Sequence, residues 1–306
     1  MNEEVLARLR LVAPLRLDEP LSRHTTFGVG GPADVYLAAD TEEQLRDAFV
    51  VAHTARLPVF ILGAGTNILV GDGGIRGLVI ENRTSQVDGP SPNGSGFRVR
   101  VASGVSFAAV ARRLCLAGYA GLDWAIGIPG TMGGATVSNA GAYGSCLEEV
   151  LKSVRLVDGQ GNVAEVHPDE LALTYRSSAF TSGLLQDRVV LSVDLSVQVG
   201  DAEALRRQVS ERDAQRKGAQ PAGRNCGSMF KNPAENPAWW LIDQVGLRGH
   251  RIGNAQISEL HTNFTLNLGG ATAADVIALM ELARSRVRQR FGIELESEVA
   301  LVGEFV

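Results

Sequence analysis

The sequence predicts a mixed fold of α-helices and β-strands, and three local patterns support that prediction. A threonine cap followed by apolar residues at helical spacing occurs at 41–56 and again at 272–290. Alternating apolar and polar residues, typical of half-buried strands, occur at 97–101 and 262–268. Glycine-rich turns separate these segments, so helices and strands are interleaved along the chain.

The composition limits the class of protein. At 306 residues the chain has room for one large domain or two ordinary ones, and its 45% hydrophobic content suits a soluble globular protein. A net charge of −5 argues against nucleic acid as the main partner, because phosphate backbones require a basic face. No apolar run approaches the roughly 18 residues of a membrane span, and the first residues lack a signal-peptide pattern. These features predict a cytoplasmic protein.

Cysteine and histidine spacing gives no metal or disulfide motif. The three cysteines, Cys115, Cys146 and Cys226, are far apart and form no CxxC pair, and the five histidines form no HExxH pair. We therefore expect reduced cysteines and no bound metal.

The first half of the chain has a readable order of elements. Residues 1–22 predict a short helix and an extended segment, and the turn motif 22–34 follows. The next predicted elements are a helix at 41–56, a strand at 58–62, a glycine turn through Val70, a strand at 78–80, a loop at 89–96, a strand at 97–101 and a helix at 106–116.

Residues 127–144, here called the glycine cradle, stand out because six of eighteen are glycine. The segment lacks a helical or strand period of large apolar residues, which predicts neither element. Glycine permits close approach and positive φ, and bared backbone N–H groups can form a concave anion site. The composition is compatible with a cradle for a phosphorylated cofactor or with a structural loop crossing a packed sheet.

The second half predicts a further set of elements and a composition break near Gly200. The predicted elements are a hairpin at 154–157 and 163–166, a strand at 189–199, a helix at 202–216, a turn at 226–233 with Ser228 at its apex, a helix at 238–245, a strand at 262–268, a helix at 272–290 and a strand at 298–305. Residues after the break read as a smaller α/β unit.

Several polar side chains at predicted loop ends are candidates for chemistry. Arg176, Ser228 and Glu298 lie on three distant segments, and each has an ordinary alternative as a surface cation, a turn serine or a solvated carboxylate. No GxSxG motif surrounds Ser228, so the residue is not on a hydrolase nucleophile elbow.

Seven motifs occur in one order along the chain, at 24–34, 62–70, 127–144, 175–180, 227–233, 261–264 and 295–299. Together, from about Ser22 to Gly303, they resemble the UDP-N-acetylmuramate dehydrogenase family, also called UDP-N-acetylenolpyruvoylglucosamine reductases. The short interval between Phe180 and Val189 is similar to the family's type II form. The resemblance implies an α+β fold of the FAD-binding vanillyl-alcohol-oxidase type (PCMH-type), with a C-terminal α/β substrate-binding domain. After the leading segment 1–22, it implies an FAD-binding region of two subdomains at 23–199 and a C-terminal substrate-binding domain at 200–306.

The same resemblance implies which residues contact ligands. Arg176, Ser228 and Glu298 would be catalytic, and Tyr175, Lys231 and Asn232 would bind substrate. Residues of the 62–70 turn and the glycine cradle would hold FAD, namely Gly63, Ala64, Gly65, Thr66, Asn67, Ile68, Ile128, Pro129, Gly130, Thr131, Gly133, Gly134, Asn139, Gly141, Ala142 and Tyr143. The cradle contains no histidine or cysteine, so we expect the FAD to be non-covalent.

The implied reaction is a step of peptidoglycan precursor synthesis. NADPH would pass hydride to FAD, and the flavin N5 would deliver it to C3 of the enolpyruvyl ether of UDP-N-acetylglucosamine. Ser228 would then protonate C2, Arg176 would stabilise the carboxylate, and Glu298 would either hydrogen-bond the enediolate as a neutral acid or orient the site. The product would be UDP-N-acetylmuramate.

Three departures from the family pattern are visible. Ser297 stands where a proline is usual, and Ala300 stands where an arginine is usual. The resemblance also predicts a basic residue just before Gln220, but the nearby Lys217 lies three residues before it. Two other classes of protein remain as alternatives. Another flavin oxidoreductase of the same fold, acting on an alcohol or hydroxy acid, would have no need of the serine motif. A non-enzymatic nucleotide-binding protein would have no need of the three catalytic residues together.

Overall fold

The computed structural model describes residues 2–306, which divide into two compact units. The first unit contains the chain up to Arg16, Tyr36–Ala64 and Gly77–Gln215. The second contains Leu17–Val35, Gly65–Arg76 and Arg216–Val306. Each unit is assembled from three separate stretches of chain, whereas the sequence segments 23–199 and 200–306 are continuous. Those segments stay a prediction about where functional domains begin and end.

Seven α-helices occur in the described residues, and capping explains where the longest predicted ones begin. They are α1 (Glu3–Val12), α2 (Glu42–Thr54), α3 (Phe107–Leu116), α4 (Met132–Val137), α5 (Ala202–Ala219), α6 (Ala238–Gln244) and α7 (Ala273–Phe291). Thr41 caps α2 by accepting a hydrogen bond from the Gln44 N–H, and Thr272 forms a reciprocal capping box with Asp275 at α7. Both helix starts predicted from these threonines are confirmed. The N-terminal helix is also confirmed from Glu3, while Met1 lies outside the described residues.

The strands are mostly short. They are β1 (Leu15–Pro20), β2 (Pro32–Ala39), β3 (Val59–Leu62), β4 (Ile68–Val70), β5 (Ile75–Asn82), β6 (Val87–Asn93), β7 (Gly96–Ala102), β8 (Tyr119–Ala120), β9 (Gly141–Ala142), β10 (Ser145–Cys146), β11 (Leu151–Asp158), β12 (Val163–Val166), β13 (Arg188–Val199), β14 (Arg251–Ile252), β15 (Ala255–Ile257), β16 (Thr265–Asn267) and β17 (Ala300–Val302). The strands predicted at 58–62, 97–101, 154–157, 163–166 and 189–199 are confirmed.

Two larger sheets and three small ones organise these strands. One sheet has the order β1-β2-β5-β3, with β3 and β5 parallel, and the other has the order β12-β11-β13-β7-β6 with β8 beside β13. The small sheets are β14-β15-β16, the pair β17-β4 and the hairpin β9-β10. In the first unit the core lies around the sheet that contains β13 and the helices α3 and α4, and includes Phe107, Trp124 and Val193. In the second unit the core lies around α6 and α7 and includes Phe230 and Leu279.

The loop predicted at 89–96 is wrong over most of its length, because 87–93 form strand β6. Its prolines are tolerated since β6 is the outermost strand of its sheet, where a missing N–H leaves no ladder bond unmade. The ladder register with β7 shifts between Asp88 and Ser91, and this irregularity accommodates Pro90.

The prediction that the glycine cradle contains no helix is also wrong, because Met132–Val137 form α4. Six residues are too few for an apolar period to appear in the sequence. The glycine turn predicted through Val70 ends earlier, since Ile68–Val70 form β4 in parallel with β17. The strands predicted at 262–268 and 298–305 are present but only three residues long.

Among the described residues, none of the helices combines the length and the apolar character needed to cross a membrane.

Candidate active site

The first predicted cofactor segments meet at Gly63 and Thr131 in the first unit. A Cβ added to Gly63 would lie 2.7 Å from the Thr131 Oγ1 atom, so only glycine fits this approach. Thr131 is buried, and its Oγ1 accepts a hydrogen bond from the Gly134 N–H to cap α4. Further along, the Gly133 N–H donates to the Ser103 carbonyl at 2.7 Å. The start of the 62–70 turn is therefore packed directly on the helix cap of the glycine cradle.

Each of the two segments, considered separately, has backbone N–H groups that are available to bind an anion. Within residues 2–306, the N–H groups of Gly130 and Thr131 donate no hydrogen bond to the protein. The same holds for Ala64, Gly65 and Thr66 in the turn. Successive unused donors beside glycine fit a pyrophosphate, because the group can accept several hydrogen bonds at once. The residues present therefore fit the phosphorylated portion of FAD.

Asn139 connects the glycine cradle to the turn that carries Arg176. Its Nδ2 donates to the Thr174 carbonyl at 3.1 Å, and its Oδ1 accepts from the Glu148 N–H at 3.2 Å. Ser178 adds a second connection by donating from Oγ to the Val137 carbonyl at 2.6 Å. The sequence predicted Asn139 as a cofactor contact. In the protein its amide is used to hold the neighbouring turn, and contact with FAD stays a prediction.

Arg176 lies at the tip of a tight turn in which Thr174 and Ser177 bond to each other through both backbone groups. Its φ of +55° is unusual for a side-chain-bearing residue, and such strain concentrates at functional sites. Tyr175, the preceding tip residue, is 64% exposed. The turn thus presents two predicted ligand contacts in the unit that contains the cradle.

Ser228 lies on an extended segment of the second unit, where the sequence predicted the apex of a turn. That prediction is wrong, because Ser228 bridges Phe264 on one side and Phe230 bridges Ser297 on the other. Asn263 pins the segment: its Oδ1 accepts from the Phe230 N–H at 3.0 Å, and its Nδ2 donates to the Phe230 carbonyl at 2.8 Å. Backbone pairing with two flanking segments left no room for a turn.

Glu298 lies on the second of the two segments that pair with the Ser228 segment. Its N–H donates to the carbonyl of Met229 at 2.9 Å, next to Ser228 in the chain. Its own carbonyl accepts from Asn67 Nδ2 at 3.2 Å, and the Asn67 carbonyl accepts from the Ala300 N–H at 3.1 Å. The second unit therefore joins the segments that carry Ser228, Glu298 and the predicted cofactor residue Asn67 through hydrogen bonds that involve backbone groups.

The predicted substrate residues of the second unit have partners within the protein. Lys231 Nζ lies 3.3 Å from a carboxylate oxygen of Glu296, and the Glu296 carboxylate is mostly exposed. Asn232 Oδ1 accepts from the Ala238 N–H at 3.0 Å at the start of α6. Substrate contact by Tyr175, Lys231 and Asn232 stays a prediction.

Ser297, which stands where the resemblance predicts a proline, has a local role. Ser297 Oγ donates to the Val299 carbonyl at 2.7 Å and so bends the chain around Glu298 by a hydrogen bond. The Lys231 N–H and the Glu296 carbonyl bond at 2.9 Å just before it. These two hydrogen bonds constrain the chain on either side of Ser297.

Burial sets the protonation of three other groups. Burial raises the pKa of the Cys226 thiol to about 12 and that of Cys115 to about 11. Burial lowers the pKa of His261, and the nearby Arg248 charge lowers it further. The Nε2 atom of His24, one of the residues of the first motif, lies 3.0 Å from Oε1 of buried Glu19, which gives the ring a hydrogen-bonding role. The three cysteines are free.

Two residues important to this arrangement had no role assigned from the sequence. Asn263 lay within the 261–264 motif, but its place in that motif gave no sign that its amide would bracket Phe230. Thr26 lay within the 24–34 motif, and its Oγ1 lies 2.7 Å from the Asn225 carbonyl and 3.3 Å from the Gly65 carbonyl. Membership of a recognisable motif was the only available signal for both.

Comparisons with known proteins match both halves of the chain to named families. Residues 33–167 match an FAD binding domain, and residues 219–302 match the C-terminal domain of UDP-N-acetylenolpyruvoylglucosamine reductase. Proteins named UDP-N-acetylenolpyruvoylglucosamine reductase include one from Desulfosudis oleivorans, 41% identical with 95% of each chain covered. Another, from Gloeobacter violaceus, is 44% identical with 91% of this chain and 93% of its own length covered.

A solved structure shares the fold. The crystal structure of UDP-N-acetylenolpyruvylglucosamine reductase from Thermus caldophilus aligns with a TM-score of 0.76 at 33% identity, covering 95% of this chain and 99% of that one. This likeness and the FAD-binding-domain match confirm the predicted α+β fold. The identity over nearly the full chain confirms the family predicted from the seven motifs. The chain belongs to the UDP-N-acetylenolpyruvoylglucosamine reductase family of FAD-dependent oxidoreductases.

Proposed function

We propose that this protein reduces the enolpyruvyl ether of UDP-N-acetylglucosamine to UDP-N-acetylmuramate, using NADPH and non-covalent FAD, in the cytoplasm. The observation that carries the proposal is the bond from the Glu298 N–H to the Met229 carbonyl. It holds a carboxylate-bearing residue beside the segment that carries Ser228. The family membership supports the substrate, and the unused N–H groups of the turn and cradle support the cofactor.

FAD would be held by the residues predicted from the sequence. In the first unit, the N–H groups of Gly130 and Thr131 would donate to phosphate oxygens of FAD. The N–H groups of Ala64, Gly65 and Thr66 are likewise available to the cofactor. When bound, FAD supplies the relay of hydride from NADPH to C3 of the enolpyruvyl group. The absence of histidine and cysteine from 127–144 supports non-covalent attachment.

Arg176 would bind the carboxylate of the enolpyruvyl group. The planar guanidinium can donate two parallel hydrogen bonds to a carboxylate, and its fixed charge stabilises negative charge that develops there. The two backbone bonds between Thr174 and Ser177, with the Asn139 bond to Thr174, hold the turn in one conformation. That rigidity favours catalysis because the charge requires no reorganisation during the reaction.

Ser228 would donate the proton that C2 receives. A serine hydroxyl is a weak acid, so it transfers a proton only to a strong base such as a substrate enolate. Asn263 holds the backbone on which Ser228 lies, and Ser228 itself is partly accessible. Glu298 would act on the same enediolate, as a neutral acid that donates a hydrogen bond or as a group that orients the site.

Replacing Ser228 by alanine tests the proton transfer in isolation. In rapid-mixing absorbance measurements of Ser228→Ala, we expect NADPH to reduce the bound flavin at the normal rate. Reoxidation by the enolpyruvyl substrate should slow by about 10²–10⁴-fold, the usual contribution of a general acid. Ser210→Ala, an exposed serine on α5, is the matched control and should change neither rate. Unchanged reoxidation in Ser228→Ala would remove Ser228 from the mechanism.

Glu298→Gln tests whether the carboxyl group serves the same half of the reaction. We expect reoxidation to slow and flavin reduction to remain normal. An equal loss in both halves indicates that Glu298 is structural, which its backbone bonds to Met229 and Asn67 would explain.

Acid precipitation of the purified protein tests whether the FAD is non-covalent. The flavin should then remain in the supernatant, whereas flavin in the pellet would mean covalent attachment.

A further inference from the structure

Tyr143 occupies a strained position at the tip of the β9-β10 hairpin. Ala142 pairs with Ser145 and Gly141 with Cys146, so Tyr143 and Gly144 are the two central residues of the turn. Both have positive φ, +57° for Tyr143 and +88° for Gly144, as in a type I′ turn. Glycine, asparagine and aspartate are the residues that favour such positions, and a tyrosine there carries a strain penalty. Backbone strain of this kind concentrates at functional sites, which points to a use for the Tyr143 side chain.

Arg212 of α5 lies directly over the Tyr143 ring. The guanidinium carbon is 3.7 Å from the ring centroid, which is the distance of a stacked pair. Among residues 2–306, Arg212 forms no hydrogen bond and no ion pair, so the ring is its principal partner. Tyr143 nevertheless remains 43% exposed. Arg212 therefore covers one side of the ring and leaves the rest accessible.

Two independent contacts fix α5 where Arg212 can reach the ring. Leu205 and Val209 are buried in the core of the first unit. Asp213, the residue after Arg212, forms an ion pair with Arg112 of α3. The helix would stay in place without the stack, so the stack is not needed to dock it. Arg212 instead restricts the orientation of a side chain at the end of the glycine cradle.

From this geometry we propose that Arg212 is a positioning residue for the FAD site. It holds the Tyr143 ring in one orientation, and the open side of that ring stacks on a planar ring of bound FAD. The inference rests on the proposed function, because it assigns the cradle to FAD. The ligand chemistry is a planar heteroaromatic ring, which NADPH and the uridine nucleotide also contain.

Release of FAD from the purified holoenzyme tests the proposal. FAD fluorescence recovers on dilution as the cofactor leaves, and we expect Arg212→Ala to accelerate release by about threefold to thirtyfold. The long-wavelength absorption band of bound flavin should also shift, because the stacking ring is no longer held. Arg206→Ala, an exposed arginine on the same helix, should leave both readouts unchanged.

Combining substitutions separates positioning from helix docking. In a Tyr143→Leu background, Arg212→Ala should add little further effect, since the ring through which Arg212 acts is gone. Tyr143→Phe keeps the ring, so in that background Arg212→Ala should accelerate FAD release by the same factor as in the wild type. An undiminished Arg212→Ala effect in Tyr143→Leu, or the same effect from Arg112→Met, would show a docking role and overturn the proposal.

The same measurements also distinguish which ligand contacts the Tyr143 ring. They separate a failure of the proposed function from a failure of the role of Arg212 alone. Normal FAD release and spectrum in Arg212→Ala, with a raised KM for NADPH or for the uridine nucleotide, would overturn the assignment to FAD. Wild-type protein that binds no FAD would undo the proposed function itself. Wild-type protein that binds FAD, with no change in any readout for Arg212→Ala, would undo only the role of Arg212.

Discussion

Asn263 brackets the backbone of Phe230 with both groups of its side-chain amide. The Oδ1 atom accepts from the Phe230 N–H at 3.0 Å, and Nδ2 donates to the Phe230 carbonyl at 2.8 Å. Both residues are almost fully buried, at 3% and 2% exposure. The side-chain amide of Asn263 therefore satisfies the Phe230 backbone as a neighbouring strand would. Phe230 lies two residues after Ser228, so this contact holds the segment that carries Ser228.

Asn263→Leu keeps the approximate size of the side chain and removes both hydrogen bonds. Two buried backbone groups then lose their partners, at about 1–3 kcal/mol each. We expect the free energy of unfolding, measured by urea denaturation, to fall by about 2–5 kcal/mol. Asn93→Leu, on the exposed edge strand β6, should change it little. Equal stability of the two variants would mean that Asn263 does not hold the Ser228 segment.

Gly63→Ala tests the close approach between the 62–70 turn and the glycine cradle. The new Cβ would lie 2.7 Å from Thr131 Oγ1, which cannot move without losing its cap on Gly134. We expect overpacking to cost about 1–3 kcal/mol in urea unfolding and FAD to bind more weakly. Gly218→Ala, in open space on α5, is the control and should cost nothing. In a Thr131→Ala background the cost of Gly63→Ala should shrink, and a constant cost would point to another source of strain.

Local patterns allowed most of the helices and long strands to be predicted. Thr41 and Thr272 are side-chain caps whose partners lie three residues away, so the sequence contains the whole interaction. The parallel pairing of β4 with β17 is different, because Ile68 and Ala300 are far apart in the chain and each strand has only three residues. No periodic pattern is recognisable in three residues. For this reason β4 was predicted as part of a turn, and the strand that contains β17 was predicted to be longer than it is.

The residues of the candidate site could be predicted from the sequence, but the contacts that hold their segments together could not. The motifs named Ser228 and Glu298 through family resemblance, and the structure shows that the Met229 carbonyl joins their segments. That joint is made by backbone atoms, which leave no trace in residue type. The stack of Arg212 on Tyr143 gave no signal either, since Arg212 is one of several charged residues on a polar helix.

Cys146 should be the reactive cysteine of the folded protein. Burial raises the pKa of Cys115 to about 11 and of Cys226 to about 12, so both stay protonated and inaccessible near neutral pH. Cys146 is partly exposed on β10, paired with Gly141 at the end of the glycine cradle. We expect a thiol reagent to label one site quickly and all three after unfolding in urea. Cys146→Ser should abolish the fast phase, and a fast phase that persists would contradict the assignment.

His261 should make the stability of the protein depend on pH below neutrality. Its ring packs edge-on against Phe264 at 4.8 Å, and its buried Nδ1 has no hydrogen-bond partner among the described residues. Burial lowers its pKa, and the Arg248 charge adds to the effect. The unfolded chain, with a histidine pKa of about 6.5, therefore takes up a proton at a pH where the folded protein does not. Protonation then favours unfolding, so stability falls as the pH drops below about 6.5 and is fully present above it. Urea midpoints measured from about pH 8 to about pH 5 should show this decline in the wild type and a shallower one in His261→Gln. The other four histidines are common to both proteins, so parallel curves would show that the charged form of His261 is accommodated in the folded state.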